Sequence, residues 1–325
     1  MKVTGALVAL FLAGVMTGAG AQGWKPEKNV EIVVTSVPGG SNDKTARTVE
    51  RILVANKLMD ATITVVNKPG GGGNIGLTYL TQRPPDGHTV MVGTPGLLIN
   101  HITGSRAVSH ADLTPIASLF NDYTVFAVGV TSPIRAGGDL IVGLRKDPKS
   151  VTVGLSGAIG GLQHIPAALL TKAIGGNFRD LKLVSFKGSA EAVVNLLGGH
   201  VDLVPTAGGN AAPHVATGKL RVVGVAAPKR FGGALADAPT WKEQGVDLVW
   251  SSWRAIIGAK GMSPAQVAYW ENVLRKATEY PEWRADLEKN YWSDDFTPSA
   301  QFRKDLDKDY ASMKAVLTEL GFAKQ

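Results

Sequence analysis

Glu31-Ile-Val-Val-Thr-Ser-Val-Pro-Gly-Gly-Ser-Asn-Asp-Lys-Thr-Ala-Arg47 decides the reading of this chain. A β-branched apolar run stops at Pro38, two glycines follow, and a helix is expected to open at Ser41, Asn42 or Asp43. A glycine turn between a strand and a helix presents backbone N–H groups to whatever lies above it. Those donors and the positive end of the helix dipole together suit an anion. No acid or base is needed there, so the stretch points to binding rather than to catalysis.

The chain around it has 325 residues, no cysteine and a formal charge of +7. Lys2 followed by an apolar run at residues 6–15 and by Ala19-Gly-Ala21 reads as a secretory signal peptide over residues 1–21. No later stretch is apolar for the roughly 18 residues that a membrane span needs. An exported chain without disulfides must hold itself together by core burial, and its length suits two ordinary domains. Export with no disulfide framework points to a bacterial periplasm. Lys and Arg are scattered without interleaved aromatics, which argues against nucleic acid as a partner.

Strand-like and helix-like segments alternate along most of the length. Val30–Ser36, Thr62–Asn67 and Thr89–Gly93 read as strands, with helices at Asp43–Lys57 and near Asn74–Gln82 between them. Such a βαβαβ opening predicts a parallel sheet. In the middle, strands are expected at Thr124–Val130, Val151–Leu155, Leu181–Ser185, Val201–Pro205 and Leu220–Ala226. Helices are expected at Gly137–Lys146, Gly161–Ile174, Ala190–Leu197 and Ala211–Thr217. From Pro264 onward the pattern is mostly helical, and its Trp and Tyr residues read as packing between helices.

Several motifs invite other chemistry. Gly71-Gly-Gly-Asn-Ile-Gly76 matches the dinucleotide glycine pattern, but no acidic residue follows about 20 positions on to hold a ribose. The reading left is a permissive loop beside a cleft. Gly154-Leu-Ser-Gly-Ala158 approaches a nucleophile elbow, for which Ser156 needs a histidine; His164, His200 and His214 are available. A second glycine turn feeding a helix at Gly160-Gly161 fits that segment better. The six histidines fall singly, so neither a metal nor a cofactor is implied. Asp43 reads as a helix N-cap or a first-turn acid, with Arg47 four residues on as an ion-pair partner, and Asp202 as a structural turn residue. Two glycine-fed helix starts facing each other across a cleft describe a clamshell receptor.

Val33–Arg47, Val66-Asn-Lys-Pro-Gly-Gly-Gly-Gly-Asn-Ile-Gly76, Pro85-Asp-Gly-His-Thr89, Leu113-Thr-Pro-Ile-Ala117, Phe186-Lys-Gly-Ser-Ala190 and Leu196-Leu-Gly-Gly-His-Val-Asp202 occur in order. They are followed by Gly218-Lys-Leu-Arg221, Pro239-Thr-Trp-Lys-Glu-Gln-Gly245 and Trp253-Arg254. In order and spacing the set resembles the substrate-binding proteins of tripartite tricarboxylate transporters, also called the Bordetella uptake gene family. The Trp253-Arg254 pair resembles the tricarboxylate subgroup.

The resemblance implies an α/β, two-lobed type II periplasmic binding fold with a ligand cleft between domains. Domain 1 would comprise residues 22–123 plus 248–325, and domain 2 residues 124–247. Carried over by position, one ligand loop is Pro38, Gly39, Gly40, Ser41, Asn42 and Asp43. The other is Ser156, Gly157, Gly160, Gly161, Gln163 and His164. Thr94, Lys187 and Thr206 stand at strand ends, and Arg254 would either answer a second or third carboxylate bidentately or stand in a surface or interdomain ion pair. The implied role is that of a monomeric periplasmic receptor that captures an organic carboxylate and delivers it to the membrane permease subunits of a tripartite transporter. A receptor reporting to a sensor kinase and a secreted serine hydrolase using Ser156 are the alternatives.

Overall fold

The computed structural model describes residues 23–324; the expected signal peptide at residues 1–21 lies outside them. Strand β1 (Val30–Val34) pairs in parallel with β2 (Ile63–Asn67) and β3 (Thr89–Gly93). Helices α1 (Ser41–Ala55), α2 (Asn74–Thr81) and α3 (Gly96–Ile102) follow these strands in turn. The expected parallel βαβαβ opening is therefore present. β1 is apolar on both faces because both are covered. Ile32 and Val34 enter a core with α1, while Val33 enters a second core with α2 and α3.

Strand β4 (Leu113–Gly129) is much longer than the Thr124–Val130 that its sequence suggests. Its first half pairs antiparallel with β9 (Ser251–Ala259) and β10 (Ser293–Pro298). Its second half pairs with β7 (Val204–Ala207) and β8 (Leu220–Val225). Pro115 and Asn121-Asp122 obscure the strand in sequence. Register shifts next to Pro115 let the proline sit inside the ladder. The change of partners falls at Thr124, where Thr124 N–H donates to Trp250 O, and Ala226 N–H to Thr124 O.

Beyond that crossing the chain builds a second lobe. It contains α4 (Gly137–Lys146), β5 (Thr152–Ser156), α5 (His164–Ala173), β6 (Lys182–Phe186), α6 (Ser189–Leu197) and α7 (Gly208–Ala216). Phe126 and Val128 of β4 face one core with Trp241, and Val125 and Ala127 face another with α6 and α7. α5 starts three residues later than expected, after a turn in which His164 N–H reaches Gly161 O. Pro166 then falls in the first turn, where its missing N–H has no partner to lose.

Helices α8 (Pro264–Thr278), α9 (Pro281–Asn290) and α10 (Ser299–Glu319) return to the first lobe. Trp270 and Trp283 are fully buried there, and Trp292 stacks on Phe120 at 4.2 Å, so these aromatics are packing residues. β9 and β10 join this returning segment to the first sheet as additional strands.

Candidate functional site

The first loop is built around an empty helix cap. Gly40 is extended (φ −73°, ψ 169°) and puts no side chain over the end of α1. The first intrahelical donor is Lys44, whose N–H meets Gly40 O at 2.9 Å. Ser41, Asn42 and Asp43 precede it, and their N–H groups have no acceptor within the helix. Gly39 needs its glycine, because its φ is +83°.

Asp43 does not offer its carboxylate to this space. The side chain turns back and accepts from Gly39 N–H (2.9 Å), Arg47 Nε (3.0 Å) and Asn67 Nδ2 (2.9 Å). Burial pushes its carboxyl upward, but these three bonds outweigh burial and hold it below the ordinary value. Asp43 is thus the first-turn acid paired with Arg47, while the N-cap position is Gly40. Its carboxylate is committed to these three bonds, which leaves its backbone N–H as its only group among the loop's open donors. Gly39 also loses its N–H as a ligand donor to the same residue.

Arg254 is held in an ion pair of its own. It lies on β9, two positions from Ser252, which pairs with Asp122 on β4. Asp122 and Arg254 are therefore diagonal neighbours on one sheet face, at 3% and 7% exposure. Arg254 Nη2 donates to Ser41 Oγ (3.1 Å) and Asp122 Oδ2 (3.4 Å), and Nη1 to Ser252 Oγ (2.6 Å) and Ser252 O (2.8 Å). Both ends of the guanidinium fork are engaged by protein groups, which is the ion-pair alternative for Arg254. Burial pushes the Asp122 carboxyl up to about 6, against the pull of Arg254.

The second loop leaves the end of β5. Gly157 N–H is bonded to Phe186 O, and Ser156 Oγ accepts from Ser189 Oγ at 3.2 Å rather than facing a histidine. Gly160 (φ +84°) donates its N–H to His164 Nδ1 at 2.9 Å. His164 is 2% exposed, lies edge-on to Phe322, and is pushed down to about 4 by burial. It is a buried brace for the loop. Gly161 and Gln163 are part of the turn that opens α5.

The remaining positions are scattered around these two loops. Thr94 directly follows β3, and Gly96, two residues on, lies beside Leu162 of the second loop. Thr206 is 1% exposed and accepts from Asn210 Nδ2. Lys187 N–H donates to Glu191, at the start of α6. Among the described residues no hydrogen bond joins Gly39–Asp43 to Ser156–His164. A cavity of about 840 Å³ lies elsewhere, between residues 227–233 and 287–295, beside Tyr123. Asp122, Ser189 and Phe322 escaped the sequence reading. Asp122 could not have been found from local pattern, because it becomes a buried strand residue in need of a partner only once β4 is seen to run from Leu113 to Gly129.

Two lobes joined through β4, with glycine-fed helix starts at the strand ends, define a solute-binding protein of the type II periplasmic class. Residues 46–322 match the family described as the tripartite tricarboxylate transporter family receptor. A protein of Cupriavidus necator encoded in the gbd 5′ region is 28% identical over 323 residues, spanning 99% of this chain and 96% of its own. A Rhodopseudomonas palustris protein solved with adipate is 24% identical at a TM-score of 0.81, over 92% of this chain and 99% of that one. MatC from Rhodopseudomonas palustris, solved with bound malate, is 22% identical at 0.77, over 90% and 99%. The chain belongs to the tripartite tricarboxylate transporter receptor family.

Proposed function

We propose that this receptor works in the periplasm, where it closes over an organic carboxylate and hands it to the permease subunits of a tripartite transporter. A di- or tricarboxylate is the ligand class. The observation that carries this reading is the glycine-capped start of α1. Its donors have no side-chain cap, and the one acid in its first turn is folded back onto Arg47. A carboxylate placed there completes the cap and meets the helix dipole. The solved relatives with adipate and malate support the same class.

Closure would use the two lobes as domain 1 (residues 22–123 plus 248–325) and domain 2 (residues 124–247). The hydrogen bonds around Thr124, Ala226 and Trp250 suit a hinge between them. In this reading Met1–Ala21 directs export and is removed, and the mature chain acts as a monomer.

Thermal unfolding of the mature protein with succinate, malate, adipate and citrate tests the reading. A ligand at 100 times its Kd adds about 2.7 kcal/mol to the native state. At this chain length that is a rise of roughly 5 °C. No shift with any carboxylate, together with no heat of binding, would refute it. Uptake that persists after deletion of the permease would remove the transport half of the proposal.

A further inference from the structure

We propose that Asp122 sets how much ligand charge the site accepts. By neutralising Arg254 beside the start of α1, it biases the receptor toward dicarboxylates and against tricarboxylates. The inference rests on the carboxylate-receptor reading and narrows it.

Two buried acids flank the first turn of α1, and each is matched by one cation. On one side Asp43 pairs with Arg47 at 3.0 Å. On the other Asp122 meets Arg254 at 3.4 Å, with Ser41 Oγ bonded to both. Each pair sums to zero charge. What remains to attract an anion is the set of N–H donors, the helix dipole and the exposed amine of Lys44. These suffice for one carboxylate at the helix start, and in the second loop the N–H groups of Leu162 and Gln163, which carry no hydrogen bond among the described residues, are left for a second. Neither Arg47 nor Arg254, the guanidiniums beside this helix start, is left uncompensated for a third negative charge.

The pair acts on the ligand without touching it. Ser41 is the first residue of α1 and lies directly against both side chains, so their charge is felt across one residue. Both groups are more than nine-tenths buried, which limits screening by water and salt. Among the described residues Asp122 Oδ1 and Arg254 Nε have no hydrogen-bond partner. The two side chains are thus held together chiefly by charge and by Ser41, and the balance between them is exposed to a single substitution.

Calorimetry with succinate and citrate at pH 8 tests the inference on the wild type, Asp122→Asn and Arg254→Gln. The wild type is expected to favour succinate. Asp122→Asn frees a positive charge and should shift the succinate-to-citrate ratio of Kd values toward citrate by roughly 10-fold or more. Arg254→Gln leaves Asp122 uncompensated and should shift that ratio the other way. Opposite signs are a readout that a purely structural role does not give, and either variant suffices if the other fails to fold. Equal losses for both acids, or an unchanged ratio, would overturn the role of Asp122 while leaving the carboxylate reading intact. A wild type that binds no carboxylate at all would overturn both.

Discussion

Gly40→Asp tests the first loop by giving the helix the anion it lacks. The backbone there, φ −73° and ψ 169°, is ordinary for any residue. A Cβ at this position lies 3.4 Å from Ser36 Oγ and 3.5 Å from Val37 O, tight but tolerable contacts. The new carboxylate can accept from the N–H of Asn42 or Asp43, as aspartate does at a helix cap. Over glycine, such a cap gains a few tenths of a kcal/mol. The dipole adds about 0.3–1 kcal/mol. The folded protein without ligand should therefore be as stable as wild type, or up to about 1 kcal/mol more stable. Binding should collapse, because the ligand's carboxylate loses its donors and meets a like charge. At about 5 Å and an effective dielectric of about 20, that repulsion is about 3 kcal/mol, more than 100-fold in affinity. Calorimetry with succinate measures the loss and thermal unfolding measures the stability. Gly40→Ala is the control, since it keeps every donor and should retain affinity within about 10-fold. If Gly40→Asp binds succinate as tightly as Gly40→Ala, the start of α1 is not the anion site.

Two further outcomes follow from buried acids and bases. Asp43→Asn removes the charge from three hydrogen bonds and should cost roughly 1.5–3 kcal/mol in urea unfolding at pH 7. Because the folded pKa of Asp43 is depressed, its contribution is present above the unfolded value of 3.8 and is lost as pH falls below it. The gap between wild type and variant should therefore close in acid, and a constant gap would refute this. His164 is held neutral, with its pKa lowered from 6.5 to about 4. The folded state binds fewer protons there, so wild type should lose about 3 kcal/mol relative to His164→Gln between pH 7 and pH 4. Parallel pH profiles would show that the imidazole is not buried in its neutral form.

How legible these features were in the sequence depended on whether their cause was local. Gly137–Lys146 and Thr89–Gly93 match their expected bounds because apolar spacing and flanking glycines mark them. The pairing of Asp43 with Arg47 follows from helical spacing alone. β9 and the first half of β4 were missed because their evidence is mutual: each is a strand by virtue of the other, across more than a hundred residues. Pro115 and the polar pair Asn121-Asp122 make that half of β4 look like loop until the bulge and the buried guanidinium are seen. For Arg254 an ion pair was one of two readings, but its partner Asp122 on the neighbouring strand cannot be located without the register. His164 looked exposed to ligand, yet Phe322 from the far end of the chain covers it.

A structure of the mature protein with succinate bound tests the central claim most directly. A ligand carboxylate is expected within roughly 2.7–3.2 Å of the N–H groups of Ser41, Asn42 or Asp43. Succinate held in the cavity between residues 227–233 and 287–295, with the start of α1 left open, would contradict it.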